Sequence, residues 1–470
     1  MLNESKAQKI FEKVRKFVTA DEVEVLIAGG KYALTRFANN TIHQNVAEEN
    51  YICSIRTAFG GRTARATTNK FDDDSLRRAV ADAEAISKVQ HTDPEMLPLA
   101  EASAAPKQGD ASQNGPQSEA QRYFEQTAKL TPEDRARGVH GIVEVAKKND
   151  LTAAGIFSSA DSAEAILNSK GLFAYHQQTS AEVSITMLGG DSSGWQKFNS
   201  PDATQVKPLE LAEVSARKAK KSAMPKEIAP GKYTVILEPA AVLDLVGFMF
   251  FDFGGQSVLD ERSFLMNRIG KKLFGENITV HDDVRHPLQS GAPFDGEGVR
   301  RERVELIAKG VPKNLVYARA TAEKMKKSPL AAKVGEVRVT GHGFPLPNEM
   351  GEAPMNIVFA GPAAGEAKTV DEMVAGTERG VLVTRLWYIR EVEPYEKMLT
   401  GMTRDGTFLI ENGKLVAGLR NFRFNQSLIE MLLNVEAMSE PVRASGEESF
   451  DMVVPAMKVR GFNFTEVTKF

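Results

Sequence analysis

The chain is poor in the residues that announce chemistry. Its 470 residues include one cysteine, two tryptophans and seven histidines. A single thiol excludes an intrachain disulfide and any cysteine-rich zinc site, and it fits a reducing compartment. Flanked by Tyr51, Ile52 and Ile55, Cys53 reads as a small buried hydrophobe. Neither sign of charge is in excess: 59 Lys and Arg face 62 Asp and Glu, a net charge of −3. Without a basic surplus nothing drives binding to phosphate backbones, so no nucleic-acid partner is expected. Long apolar runs are missing too. The most apolar stretch, 242–251, is too short to cross a bilayer and contains Asp244. The opening MLNESKAQKIFEKVRKF interleaves charges with Ile10, Phe11, Val14 and Phe17, the pattern of a surface helix and not of a secretion signal. The expectation is a cytoplasmic protein with no membrane partner.

What is present is a globular balance, 42% hydrophobic and 26% charged, with length for two or three domains. The clearest seam is 101–120, EASAAPKQGDASQNGPQSEA, which has no aromatic or branched apolar residue and reads as a linker or long loop. A second seam, MPKEIAPG at 224–231, interrupts a helical pattern before a new strand. Residues 1–100 read as helix, short strands (23–27, 32–37, 41–46, 51–57), then a helix at 72–87, with turns at Asn39-Asn40 and Gly60-Gly61. Residues 121–228 repeat that order. A helix capped by Thr131 runs to Lys148, strands follow at 153–159, 163–168, 172–176 and 181–187, and a helix spans 207–222. This is an apparent duplication of a helix–strands–helix unit. Residues 229–470 form a larger, strand-rich region. It has a strand at 233–237 leading into a helix at 240–250, a hairpin around Asn412-Gly413, a helix at 427–435 and a final strand at 452–459. The fold class is α+β with mixed or antiparallel sheet.

No catalytic constellation stands out. A zinc-hydrolase helix carries two histidines one turn apart with a glutamate beside the first, so that the carboxylate takes a proton from metal-bound water. None of His43, His91, His140, His176, His281, His286 and His342 is followed by Glu. The nearest pair lies in HDDVRHP, where His281, Asp283 and His286 would meet a metal only on a distorted helix or a loop. Charged neighbours and Pro287 favour a solvated turn, with an unrecognised hydrolase site as the alternative. Gly190-Asp-Ser-Ser-Gly194 matches the bare Gly-x-Ser-x-Gly pattern at Ser192, but WQKFNSP after it does not begin a helix, so a small-residue loop is the better reading. Gly341-His342-Gly343 reads as a turn, and FPLPNEMGEAP at 344–354 as a surface connection.

Several runs together resemble the TldD/PmbA peptidase family. They are RFANNTIHQN at 36–45, IRTAFGGRTARA at 55–66, FDGEGV at 294–299, LVTRLW at 382–387 and GTFLIENG at 406–413. The resemblance implies a paired assembly. An active subunit carries a His-Glu-x-x-x-His zinc motif and a cysteine ligand near its C-terminus. A companion of the same fold lacks those ligands, and the pair degrades flexible peptides in an enclosed cavity. Here Leu243 and Phe248 stand at the two histidine positions and Asp244 at the glutamate, and the C-terminal region has no cysteine. Leu and Phe offer a metal no lone pair. The resemblance thus implies the companion type. It gives this chain no catalytic residue, no metal ligand and no cofactor. Zinc is expected only in a motif-bearing, TldD-like partner, which would form a heterodimer with this chain, and the substrate is a peptide. Asp244 is expected to be a hydrogen-bonded structural aspartate. Two rivals remain: an independent hydrolase centred on His281, Asp283 and His286 or on Ser192, and a homodimeric peptide-binding protein.

Overall fold

The computed structural model describes residues 2–105 and 120–468. Most of the expected linker, 106–119, lies outside the described residues.

The two helix–strands–helix units share one six-stranded antiparallel sheet. Its order is Arg62–Thr68, Thr41–Phe59, Glu22–Ala38, Thr152–Asn168, Phe173–Leu188, Ser193–Ser200. The central pair joins the units: Glu22–Ala38 runs antiparallel to Thr152–Asn168, with Ile27 opposite Ala165 and Thr35 opposite Phe157. Each unit contributes a meander flanked by two helices, Glu4–Arg15 and Asp73–Val89 in the first, Pro132–Lys148 and Pro208–Lys221 in the second. Asp72 caps the second helix by accepting from the Ser75 amide, and Thr131 with Asp134 forms a capping box on the third. Along Thr152–Asn168, Ala163, Ala165 and Leu167 pack in the first unit's core and Ala153 and Phe157 in the second's. All are odd-numbered, so both helix pairs cover the same face of the sheet. Cys53 is fully buried in the first of these cores.

Eight short strands were expected in these units, but four long ones form, joined by a fifth and sixth at the edges. The gap expected between 23–27 and 32–37 contains Gly29 and Gly30, where neighbouring strands come close. A Cβ on Gly29 would lie 2.1 Å from the Asn50 carbonyl oxygen, and one on Gly30 would lie 2.1 Å from that of Asp161.

The remainder, from Gly231, contains two sheets. In the larger, the strands Arg379–Glu393, Gly231–Leu237, Met457–Val467, Phe422–Ser427 and Met398–Glu411 pair in that order, and the last pairs back with the first. The result is a closed barrel, parallel only between Arg379–Glu393 and Gly231–Leu237. The smaller sheet contains Val280–Asp282, Ile357–Phe359, Met452–Val454 and Val442–Ala444. The single final strand expected at 452–459 is therefore two. Met452–Val454 lies in the small sheet and Met457–Val467 in the barrel, with Pro455 at the break. Asn412 and Gly413 both take positive φ in the hairpin turn, as their sequence requires.

Candidate functional site

The barrel strand Gly231–Leu237 delivers the chain to Pro239, which starts the helix Pro239–Val246; a 3-10 turn, Gly247–Phe253, continues it. Leu243 is fully buried in the large apolar core, and half-buried Phe248 packs against the same cluster. Asp244 is also inaccessible. Its Oδ1 accepts the backbone N–H groups of Glu447 (3.1 Å) and Glu448 (3.0 Å), in the loop between Val442–Ala444 and Met452–Val454. The fit is close: a Cβ on Gly446 would lie 2.1 Å from that oxygen. Burial pushes the Asp244 carboxyl up to about 7, against the pull of the two amides, and nearby Glu447 and Glu448 add to the rise. Asp244 is thus a hydrogen-bonded aspartate that ties a loop to a helix.

The end of this segment holds a cation supplied by the protein. Buried Lys397 places its Nζ 2.5 Å from Asp252, 2.7 Å from Glu391 and 3.3 Å from the Phe248 carbonyl oxygen. Lys397, Asp252 and Glu391 line a cleft of about 710 Å³ with Phe251, Arg262, Met266 and Tyr395. The donor set does not fit zinc: two of the three motif positions are hydrocarbon, and the third spends its lone pairs on amides. Among the described residues no group of three or more His, Cys, Asp or Glu is arranged to hold a metal ion.

His281, Asp283 and His286 do not form the solvated turn expected of them. His281 lies on the buried strand Val280–Asp282, and Asp283 is buried just beyond it. The apolar residues on either side draw this polar run into the small sheet. Burial, with Arg303 and His286 nearby, depresses His281 to about 4, so it is neutral, and its buried Nδ1 has no hydrogen-bond partner. Asp283 accepts from the Arg285 amide at 3.0 Å, and His286 Nδ1 accepts from the Leu288 amide at 3.2 Å. Each side chain serves its own turn. Asp282 between them faces inward. Its Oδ2 accepts the amides of Met355 (2.8 Å) and Asn356 (2.7 Å), and its Oδ1 lies 3.0 Å from Nε2 of fully buried His342. Burial raises the Asp282 carboxyl, but His342 and the amides outweigh it and hold it below the usual carboxylate range. The turn reading of His342 missed this pairing; the only signal was Asp282 amid the apolar alternation of a strand. Ser192 sits in the tight turn before the strand Ser193–Ser200, with no helix after it.

The sheet face without helices approaches the loop that Asp244 holds. On that face, Lys197 donates to the Gly446 carbonyl at 2.9 Å and lies 3.5 Å from Glu182 and 3.6 Å from Glu447. Arg443 reaches from the small sheet to Asn199 (2.5 Å) while paired with Asp451 (2.9 Å). Arg385, buried on the barrel, donates to Asp405 at 2.9 Å and lies 4.8 Å from the Trp195 ring. None of these seam residues was legible in sequence, because each acts on a partner in another domain.

Three family models cover the chain: the PmbA/TldA metallopeptidase domain 1 over residues 23–87, the central domain over 127–223, and the C-terminal domain over 230–466. The chain belongs to the PmbA/TldD metallopeptidase family. Among relatives, it is 35% identical to the uncharacterized protein MJ0231 of Methanocaldococcus jannaschii over 160 residues, 32% of this chain but only 36% of that protein. It is 21% identical over 350 residues to the metalloprotease PmbA of Escherichia coli O157:H7, covering 71% of each chain. The crystal structure of TldE from Thermococcus kodakarensis superposes with a TM-score of 0.81 at 18% identity, over 98% of this chain and 100% of that one. The superposition thus shows the same fold over nearly all of the chain. No described helix is long and apolar enough to cross a membrane.

Proposed function

We propose that this chain is the metal-less companion subunit of a two-part cytoplasmic metalloprotease that degrades unfolded peptides. The observation that carries the reading is the state of the helix Pro239–Val246. Where the family's active subunits are expected to hold zinc, Leu243 and Phe248 pack into the core and Asp244 anchors a backbone loop. Its contribution is then architectural: the helix-free sheet face and the loop at 445–449 form part of the wall around a peptide. The zinc, and the water it activates, belong to a motif-bearing partner.

The test is metal analysis and a peptidase assay on the purified chain, with and without a motif-bearing relative from the same source. The expected result is no stoichiometric metal and no cleavage alone, and zinc-dependent cleavage with the relative, faster than the relative achieves by itself. Stoichiometric zinc in this chain, or cleavage by it alone that survives removal of the relative, overturns the reading.

A further inference from the structure

Two buried ionisable groups lack an opposite partner, and they share one cavity. Arg135, on the helix Pro132–Lys148, is wholly buried. Among the described residues it pairs with no carboxylate, and Asp134 and Glu133 on its own helix act on it through space. It donates instead to neutral oxygens: Thr35 (3.2 Å), the Leu130 carbonyl (3.3 Å), Ser159 (3.4 Å) and Asn45 (3.4 Å). These four long bonds leave one of the five guanidinium N–H groups over. Asp161, 3% exposed, has the complementary lack. Its Oδ1 accepts from Gln177 at 3.2 Å, but among the described residues nothing donates to its buried Oδ2. Lys31 and the amino terminus act on it through space. A buried ion without a counter-ion is costly, so an opposite charge brought to either group is held strongly.

The cavity, of about 350 Å³, lies between the sheet and the start of that helix, and both groups line it. Strand register sets their spacing. Three rows cross the sheet: Asn45 and Thr35; then Ala47, Ala33 and Ser159; then Glu49, Lys31 and Asp161. Successive rows are two residues apart, about 6.7 Å. Arg135 bridges the first two rows and Asp161 belongs to the third, so the two groups stand about 10 Å apart. Between them Ala33 and Ala47 leave a trough, with Thr127, Leu130 and Pro132 on the side toward the helices. We infer that this trough binds a free amino acid or dipeptide, its carboxylate on Arg135 and its ammonium on Asp161. An ion pair takes about 3 Å at each end, so the ligand's own charges stand roughly 3–7 Å apart, the span of one or two residues. A purely anionic ligand would leave Asp161 unpaired and add repulsion. A purely cationic one would do the same at Arg135. Only a zwitterion answers both.

Binding is measured on the full chain alone, so the test does not depend on the companion role. Isothermal titration calorimetry with alanine and with alanylalanine, up to about 10 mM, is expected to give one saturable site for at least one of them. N-acetylalanylalanine lacks the ammonium and alanylalanine amide lacks the carboxylate. Each is expected to bind about tenfold or more weakly than alanylalanine, the worth of one charge-assisted hydrogen bond. Asp161→Asn is expected to weaken alanylalanine by a like factor and to leave the acetylated peptide unchanged. Arg135 lies in a core, where its replacement endangers the fold, so Ala47→Phe serves in its place. Position 47 is exposed, and a ring there fills the trough; binding is expected to vanish with the melting temperature unchanged. No saturable binding, equal affinity for the blocked peptides, wild-type affinity in Asp161→Asn, or binding that survives Ala47→Phe overturns the inference. Each of those results leaves the metal and cleavage assay with a motif-bearing relative intact as a test of the companion role.

Discussion

Replacing Asp244 with asparagine tests the state of the degenerate motif directly. Asparagine keeps an oxygen for the Glu447 and Glu448 amides but cannot ionise. In the native chain burial lifts the carboxyl from 3.8 to about 7, whereas in the unfolded chain it returns to its ordinary value. Between those values the native state binds a proton that the unfolded state does not. The group therefore favours the fold at low pH, and that contribution disappears as pH rises through the folded-state value. A shift of about 3 units, at about 1.4 kcal/mol each, gives about 4 kcal/mol as an upper bound; a loop that opens to water lowers it. Asp295 and Glu352 are also pushed up to about 7 by burial, and His176 and His281 are depressed to about 4, so the wild-type profile alone mixes several groups. The difference between Asp244→Asn and wild type isolates one. Urea unfolding from about pH 4 to about pH 8 should show the variant gaining stability steadily over wild type. A difference that stays flat over that range would refute the claim that Asp244 is sealed in the fold and carries a raised pKa.

Other substitutions report on the same neighbourhood. Gly446→Ala drives a methyl into the Asp244 carboxylate, for a loss of about 1–3 kcal/mol by thermal unfolding, and Asp244→Ala in the same chain should recover part of it. Arg385→Ala takes from buried Asp405 its buried counter-ion, leaving Arg404 at 3.5 Å, and takes a cation from Trp195; the cost in urea unfolding should fall below the roughly 3–5 kcal/mol of a wholly unpaired buried charge. Restoring the motif with Leu243→His, Asp244→Glu and Phe248→His should lower the melting temperature and still leave zinc below stoichiometric amounts, since the new side chains enter a packed core and no cysteine ligand is supplied.

Much of the local structure was legible because it is fixed by local chemistry. Asp72 and Thr131 cap helices within three residues of themselves, and Asn39-Asn40 and Asn412-Gly413 turn the chain where only residues tolerant of positive φ can. The degenerate motif positions were legible for the same reason, as three identities in six residues. The errors share another cause. The strand Glu22–Ala38 was read as two pieces, 23–27 and 32–37, because the close approach of Gly29 and Gly30 to Asn50 and Asp161 is not visible in sequence. The buried Asp282–His342 pair joins residues sixty positions apart, and Lys197 acts on a loop near residue 446. Charged runs such as HDDVRH were read as solvated because sequence shows the charge and not the amides waiting for it.

The pairing of Glu22–Ala38 with Thr152–Asn168 has a bearing on how the protein is made. On a ribosome the first unit emerges well before the strand that completes its sheet. Until residue 168 has cleared the exit tunnel, Glu22–Ala38 has an open flank, and residues 41–52 of Thr41–Phe59 lie beyond the cover of Arg62–Thr68, a ribbon with two adhesive sides. Chains stalled or cut near the seam at 101–120 should therefore be aggregation-prone fragments and not small folded domains. The second unit acts as the first one's in-chain chaperone, and the interval between their synthesis is the time during which that protection is missing.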